Sequence, residues 1–89
     1  MEIKIFGKKN CSMCEATKKK VSFLIEQLNM SNTVDVAYFD MDTVDGLAEG
    51  AMLDAIDTPT TIIFRDGSEV ARWAERVPES DELKSSLII

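Results

Sequence analysis

The 89-residue sequence holds two cysteines, both in the stretch Asn10-Cys11-Ser12-Met13-Cys14. Two thiols at this spacing, at the start of a helix, can close a small disulfide ring and open it again. The attacking species in such chemistry is the thiolate. A helix start concentrates unpaired N–H groups and positive dipole, which favours an anion by about 0.3–1 kcal/mol. Cys11 is therefore the expected nucleophile, with its pKa lowered. Lys8, Lys9 and Asn10 immediately precede it and are placed to tune that pKa. Cys14, one turn into the helix and more buried, is the expected resolving thiol. The cycle is attack by Cys11 on a disulfide, a mixed disulfide, then attack by Cys14 to release the reduced product. Two other uses of the pair stay open at this level. Buried cysteine is common in cores, and two ligands make half of a metal site that a second subunit would complete.

The composition narrows the chemistry further. The sequence has no histidine. That removes a Cys-His nucleophile pair, the usual zinc ligand sets and imidazole acid–base catalysis. The net charge of −6 argues against a nucleic-acid partner. That charge is uneven: residues 1–20 carry six Lys and two Glu, and the rest is strongly acidic. The positive end is the end with the cysteines. No segment approaches the ~20 apolar residues of a membrane span, so no membrane association is expected. The start Met-Glu-Ile-Lys-Ile has no leader-like pattern. Two cysteines without one suggest a reducing, cytoplasmic setting in which a lasting structural disulfide is unexpected.

The elements that must position the pair follow from periodicity. Ile3 and Ile5 alternate with Lys4 and Phe6 as a first strand, which Gly7 ends. From Ser12 to Leu28 the spacing turns helical, with Cys14, Val21, Leu24, Ile25 and Leu28 on one side. Val34 to Phe39 is β-branched and aromatic, a second strand. Asp40 to Thr43 offers helix caps. A second helix over about Val44 to Ala55 is expected to turn Val44, Leu47, Ala48, Ala51, Met52 and Ala55 inward, with Gly46 and Gly50 as weak points. Thr60 to Phe64 is a third strand, Asp66-Gly67 a tight hairpin and Val70 to Trp73 a fourth strand. Pro78 to Asp81 opens a last helix presenting Leu83, Leu87 and Ile88. The order β-α-β-α-β-β-α predicts a single α/β domain over 1–89. Its four-stranded mixed sheet starts with a parallel βαβ unit and carries helices on both faces.

The strand, then Cys11-Ser12-Met13-Cys14, then Thr58-Pro59-Thr60 ahead of Ile62-Ile63-Phe64-Arg65-Asp66-Gly67, resembles the thioredoxin superfamily over nearly the whole chain. The resemblance implies a compact thioredoxin-like fold and a thiol–disulfide oxidoreductase reducing protein disulfides. It implies a cis bond before Pro59, with Pro59 facing the cysteines. Thr58 would then offer its backbone to an extended substrate. From its own position between the cysteines, Met13 either forms an apolar docking patch with Pro59 and Val77 or is a casually exposed residue of the first helical turn. The partners implied are disulfide-containing client proteins and a thioredoxin-reductase-type flavoenzyme as electron donor, with no cofactor beyond the redox-active disulfide.

Several positions depart from the family. The cysteines follow the first strand directly, which is the compact glutaredoxin-like form. Pro78-Glu79 stands where glutaredoxins carry the Gly-Gly pair that helps hold glutathione. The family's buried proton-accepting aspartate aligns with Ile5, so no carboxylate relay is implied. Glutathione-dependent glutaredoxin activity is one alternative reading. A non-catalytic redox sensor or adaptor, and a dimer bridging an iron–sulfur cluster, are others. Trp73 is expected in the core, Lys18 to Lys20 on a solvated helix face, and Asp40 and Asp42 as caps of the second helix. The apolar Ile88-Ile89 end leaves a dimer open.

Overall fold

The strand β1 (Glu2–Gly7) lies inside the sheet, and every other element attaches to it directly or through one neighbour. The structure, a computed structural model, describes residues 1–88. Chain order continues with α1 (Ser12–Gln27), β2 (Asp35–Asp40), α2 (Val44–Met52), β3 (Thr60–Arg65), β4 (Ser68–Ala74) and α3 (Ser80–Leu87). The sheet order is β2-β1-β3-β4. β1 runs parallel to β2, pairing Ile5 with Tyr38, and antiparallel to β3, pairing Ile5 with Thr61. β3 and β4 form the hairpin around Asp66-Gly67, whose φ values of 51° and 82° match a two-residue turn with both centres left-handed. This is the expected architecture. β1, β3 and β4 extend a residue or two beyond the segments read from sequence, and β2 lies one residue later than the segment read as Val34 to Phe39.

Alternation along β1 divides the core in two, because successive strand side chains point to opposite faces. Ile3 and Ile5 pack with Val21, Leu24 and Ile25 of α1, Leu83 and Leu87 of α3, and Trp73 of β4. Phe6 faces the other side with Ile62, Met41 and Ala55. Lys4 shares that second face. Its ammonium bonds Glu49 of α2 at 2.7 Å and lies over the rings of Phe39 and Phe64. Its aliphatic stem can thus cover apolar surface while the charge stays paired.

The second helix corrects the sequence reading. Val44, Leu47, Ala48, Ala51 and Met52 are all exposed, Val44 and Met52 each at 82%. The buried residues of α2 are Gly46 and Gly50. Ala55 is buried as expected, but it lies past the helix, which ends at Met52. The physical reason is closeness. A side chain on Gly46 would collide with the backbone carbonyl of Asp40, so only a glycine face lets this helix lie against the end of β2.

The capping expectation is also corrected. Thr43 is the cap, accepting the Gly46 N–H at 3.0 Å. Asp40 instead accepts from the Asp42 N–H at 2.9 Å, and Asp42 accepts from the Lys9 N–H at 3.4 Å. Of Lys18 to Lys20, only Lys19 is fully solvated. Lys18 lies over the Tyr38 ring at 4.3 Å, and Lys20 donates to the Pro78 carbonyl at 3.0 Å. Ile88 is exposed rather than packed, and Ile89 lies outside the described residues. Among the described residues no helix is long and apolar enough to cross a membrane.

The last helix is tied to β4 through one carboxylate. Glu82 accepts from both terminal nitrogens of Arg76 at 2.8 and 2.7 Å, from the Trp73 indole N–H at 3.0 Å and from the Glu79 N–H at 3.1 Å. Arg76 first, then the Glu79 N–H and the Trp73 indole, hold its carboxyl down to about 2. A carboxyl lowered in the folded state stabilises it above the unfolded value, and loses that contribution as pH falls through the folded value. Trp73 is the single tryptophan and reports on this contact. Its fluorescence in an acid titration is expected to stay native through the ordinary glutamate range and change only toward about 2. A transition at the ordinary glutamate value would show that the network does not hold the charge.

Candidate active site

The site forms where the C-terminal ends of β1 and β2 meet the N-terminal end of β3. β1 ends at Gly7, and Lys8, Lys9 and Asn10 carry the chain outward, all exposed. Asn10 has a φ of 58°, a left-handed conformation that asparagine tolerates better than most residues. This sharp turn delivers Cys11 to the N-cap of α1. There its Sγ accepts the Cys14 N–H at 3.1 Å. A sulfur thus satisfies one of the donors that a helix start leaves unpaired.

Cys11 and Cys14 are joined by a disulfide, with Cα atoms 5.2 Å apart. Their environments differ. Cys11 is half-buried, whereas Cys14 is fully buried. The disulfide therefore joins a half-buried residue at the helix start to a fully buried one in its first turn. Met13, between them, is 43% exposed. Thr17, one turn on, is buried and donates to the Met13 carbonyl at 2.8 Å, fixing the first turn of the helix.

The register brings the Thr58-Pro59 segment to the same end of the sheet. Phe6 pairs with Thr60, which places Pro59 at the level of Gly7. The Thr58–Pro59 bond is cis, and Pro59 is buried. The Pro59 carbonyl accepts the Glu75 N–H at 2.7 Å, which joins this segment to the end of β4. Thr58 is half-buried, and its backbone N–H and carbonyl have no hydrogen-bond partner among the described residues. Val77, two residues past Glu75, is also half-buried. Lys8 and Lys9 are exposed, and the Lys9 backbone N–H donates to Asp42 at 3.4 Å. Among the described residues, no group of three or more His, Cys, Asp or Glu side chains could hold a metal ion.

Two residues read from sequence only as strand end and strand filler belong to this site. A side chain on Gly7 would meet Cys14 Cβ at 3.0 Å and Sγ at 3.1 Å, and would run into the Tyr38 hydroxyl. Gly7 is thus the residue that lets α1 approach the sheet at Cys14. Tyr38 comes in from β2, opposite Ile5, with its hydroxyl in the remaining space. Burial first, then the negative charges of Glu15, Asp40 and Asp42, push that hydroxyl above the ordinary tyrosine range. The available signal was a glycine at the end of a strand facing a helix, which marks close approach as readily as a turn.

Solved structures share this arrangement of elements. Thioredoxin 1 from Thermosipho africanus TCF52B superposes with a TM-score of 0.77 at 23% identity, over 98% of this chain and 90% of that one. Thioredoxin O2 from Arabidopsis thaliana, in the oxidized state, gives a TM-score of 0.76 at 19% identity, over 94% of this chain and 69% of that one. A Fasciola hepatica thioredoxin gives a TM-score of 0.74 at 22% identity, over 96% and 76%. No family model and no curated protein matches the sequence. At these identities the likeness concerns the fold, and the chain has the thioredoxin fold.

Proposed function

We propose that this protein is a thiol–disulfide oxidoreductase that reduces protein disulfides through the Cys11–Cys14 pair. The observation that carries the proposal is the asymmetry of the pair. Cys11 is half-buried at a helix N-cap and its Sγ accepts a backbone N–H, while Cys14 is fully buried. An N–H bond and the helix dipole favour a thiolate at Cys11, which makes it the better nucleophile and the better leaving group. Cys14 is shielded from other reagents and is spaced to attack Cys11 once a mixed disulfide forms.

The client would lie along the free backbone of Thr58, pairing with it as an added strand does. Pro59, Met13 and Val77 would supply apolar contact beside the sulfurs. Lys8 and Lys9 contribute positive charge near the attacking sulfur. The cell compartment consistent with this cycle is the reducing cytoplasm.

A flavoenzyme of the thioredoxin-reductase type is favoured as electron donor over glutathione. The start of α3 supports this choice. Helix N-termini bind anions, but here Glu82 accepts the Glu79 N–H at 3.1 Å, and Glu79 adds a second carboxylate. A glutathione carboxylate brought to that helix start would face both.

A redox titration of Cys11 and Cys14, trapped by alkylation and read by mass, tests the assignment. The expected result is one two-electron transition near about −270 mV, the value of a thioredoxin reductant. A transition near about −180 mV would convert the role to oxidant or isomerase. If no intramolecular disulfide forms at any poise, the redox assignment fails. Glutathione as sole reductant is expected to restore turnover poorly, and efficient restoration would replace the flavoenzyme with glutathione as donor.

A further inference from the structure

The resolving step poses a physical difficulty at Cys14. Its sulfur is fully buried, and burial disfavours a thiolate. Its own backbone N–H is engaged by Cys11 Sγ. The charged side chains around this end of α1 and β2 include the acids Glu15, Asp40 and Asp42, which add negative potential there. Lys18 is the nearby cation, and it lies over the face of the Tyr38 ring at 4.3 Å. Ile5, across the strand pair from Tyr38, is apolar and offers no proton-accepting group.

One polar atom does reach the sulfur's surroundings. The Tyr38 hydroxyl and Cys14 Sγ flank the same methyl-sized space, the space that a Gly7 side chain would otherwise fill. The hydroxyl has no hydrogen-bond partner among the described residues. We propose that Tyr38 is the hydrogen-bond donor to Cys14 in the reduced protein, lowering the cost of the Cys14 thiolate and so setting the rate of the resolving step. The inference rests on the redox reading above and adds a residue to that site.

The chemistry requires a donor, and Tyr38 stays one. Its hydroxyl is held above the ordinary tyrosine range, so it remains protonated at neutral pH and does not act as a base. The Cys14 thiol releases its proton to solvent. The thiolate, steadied by the Tyr38 O–H, attacks Cys11 Sγ in the mixed disulfide. The Cys11–Cys14 bond forms, the bond between Cys11 and the client sulfur breaks, and that sulfur leaves with the electron pair and takes a proton from solvent. The client disulfide gains two electrons and the Cys11/Cys14 dithiol loses them.

The test uses the full chain carrying Cys11→Ser, in which Cys14 is the only thiol. The pH titration of Cys14, followed by the NMR shift of its labelled Cβ, is compared with and without Tyr38→Phe. Phenylalanine keeps the ring under Lys18 and removes only the hydroxyl. The expected result is an upward shift of the Cys14 midpoint by about one unit, read as an approximately tenfold smaller thiolate fraction below both midpoints. An unchanged midpoint overturns the proposal. A second readout needs no substitution. Tyr38 is the single tyrosine, so the ultraviolet absorbance of its phenolate reports on it alone. Reduction of the wild-type disulfide is expected to move that phenolate midpoint further upward, because the O–H then serves a neighbouring thiolate. A midpoint that stays the same or falls on reduction contradicts the proposal. Neither readout depends on client turnover. A failed Tyr38 role would leave the disulfide titration unaltered, whereas a failed redox reading would show as a missing disulfide in that titration and leave the comparison in the Cys11→Ser background standing.

Discussion

Cys11→Ser will abolish disulfide reduction, and Cys14→Ser will stall it halfway. The serine hydroxyl at position 11 has almost no anionic form at neutral pH, and the N-cap geometry that favours a thiolate does not bridge that gap. Loss of the nucleophile is expected to lower turnover by a factor on the order of 10³ or more, the scale seen when an enzyme loses its attacking atom. With Cys14 replaced, Cys11 still attacks, but nothing inside the protein displaces the client. The measurement is a stoppered reaction with a disulfide-bonded protein, read by mass without reductant. Cys14→Ser should accumulate a one-to-one adduct through Cys11, and Cys11→Ser should give none. An adduct through Cys14 in the Cys11→Ser variant would reverse the two roles. Wild-type turnover in either single variant would remove the dithiol cycle from this protein. The wild-type protein in the same reaction tests the sensor or adaptor reading, in which a stoichiometric complex would form and no disulfide would turn over.

The residues that make the site were legible to different degrees, for reasons that lie in the physics of each. The cysteine pair and the helix after it were plain because spacing and amphipathicity are local properties. The Thr58-Pro59 segment, far from the pair in sequence, came from resemblance rather than periodicity. The structure brings it to Gly7 by pairing Phe6 with Thr60. The asymmetry between a half-exposed Cys11 and a buried Cys14 follows from placing one at the N-cap and the other one turn inside. The contribution of Tyr38 was not legible. A tyrosine in a strand satisfies β-propensity whichever neighbour its hydroxyl meets, and that neighbour depended on Gly7 standing below α1. The face of α2 was misread for a related reason. Hydrophobic periodicity assumes that apolar side chains fill the gap between helix and sheet. Where the helix lies on backbone there is no gap to fill, and the glycines face inward.

That misreading yields the largest expected effect on stability. Gly46→Ala should destabilise the protein, although the substitution improves helix propensity by about 1 kcal/mol. The added methyl would collide with the Asp40 backbone carbonyl and come within 3.0 Å of Thr43 Oγ1. Neither can swing aside as a long side chain would. Asp40 is held in the sheet, paired with Gly7, and Thr43 Oγ1 is the helix cap. The helix must instead move off β2, losing the cap and the packing of Met41 and Ala55 behind it. Overpacking of this kind costs about 1–3 kcal/mol. After the gain in propensity, a net loss of up to about 2 kcal/mol lowers Tm by up to roughly 15 °C in a domain of this size. Val44→Ala and Met52→Ala are the controls, since both side chains are exposed, and such surface changes are usually within about 0.5 kcal/mol. Thermal unfolding of the three variants decides the matter. A Tm for Gly46→Ala equal to or above wild type would mean that α2 is governed by propensity, with its apolar side turned inward. The displacement has a consequence for chemistry as well. Asp42, just before the helix, accepts the Lys9 N–H in the loop that carries Cys11. A helix pushed off β2 pulls on that contact, so Gly46→Ala should also slow disulfide exchange at temperatures where the variant is still folded, whereas the two surface variants should not.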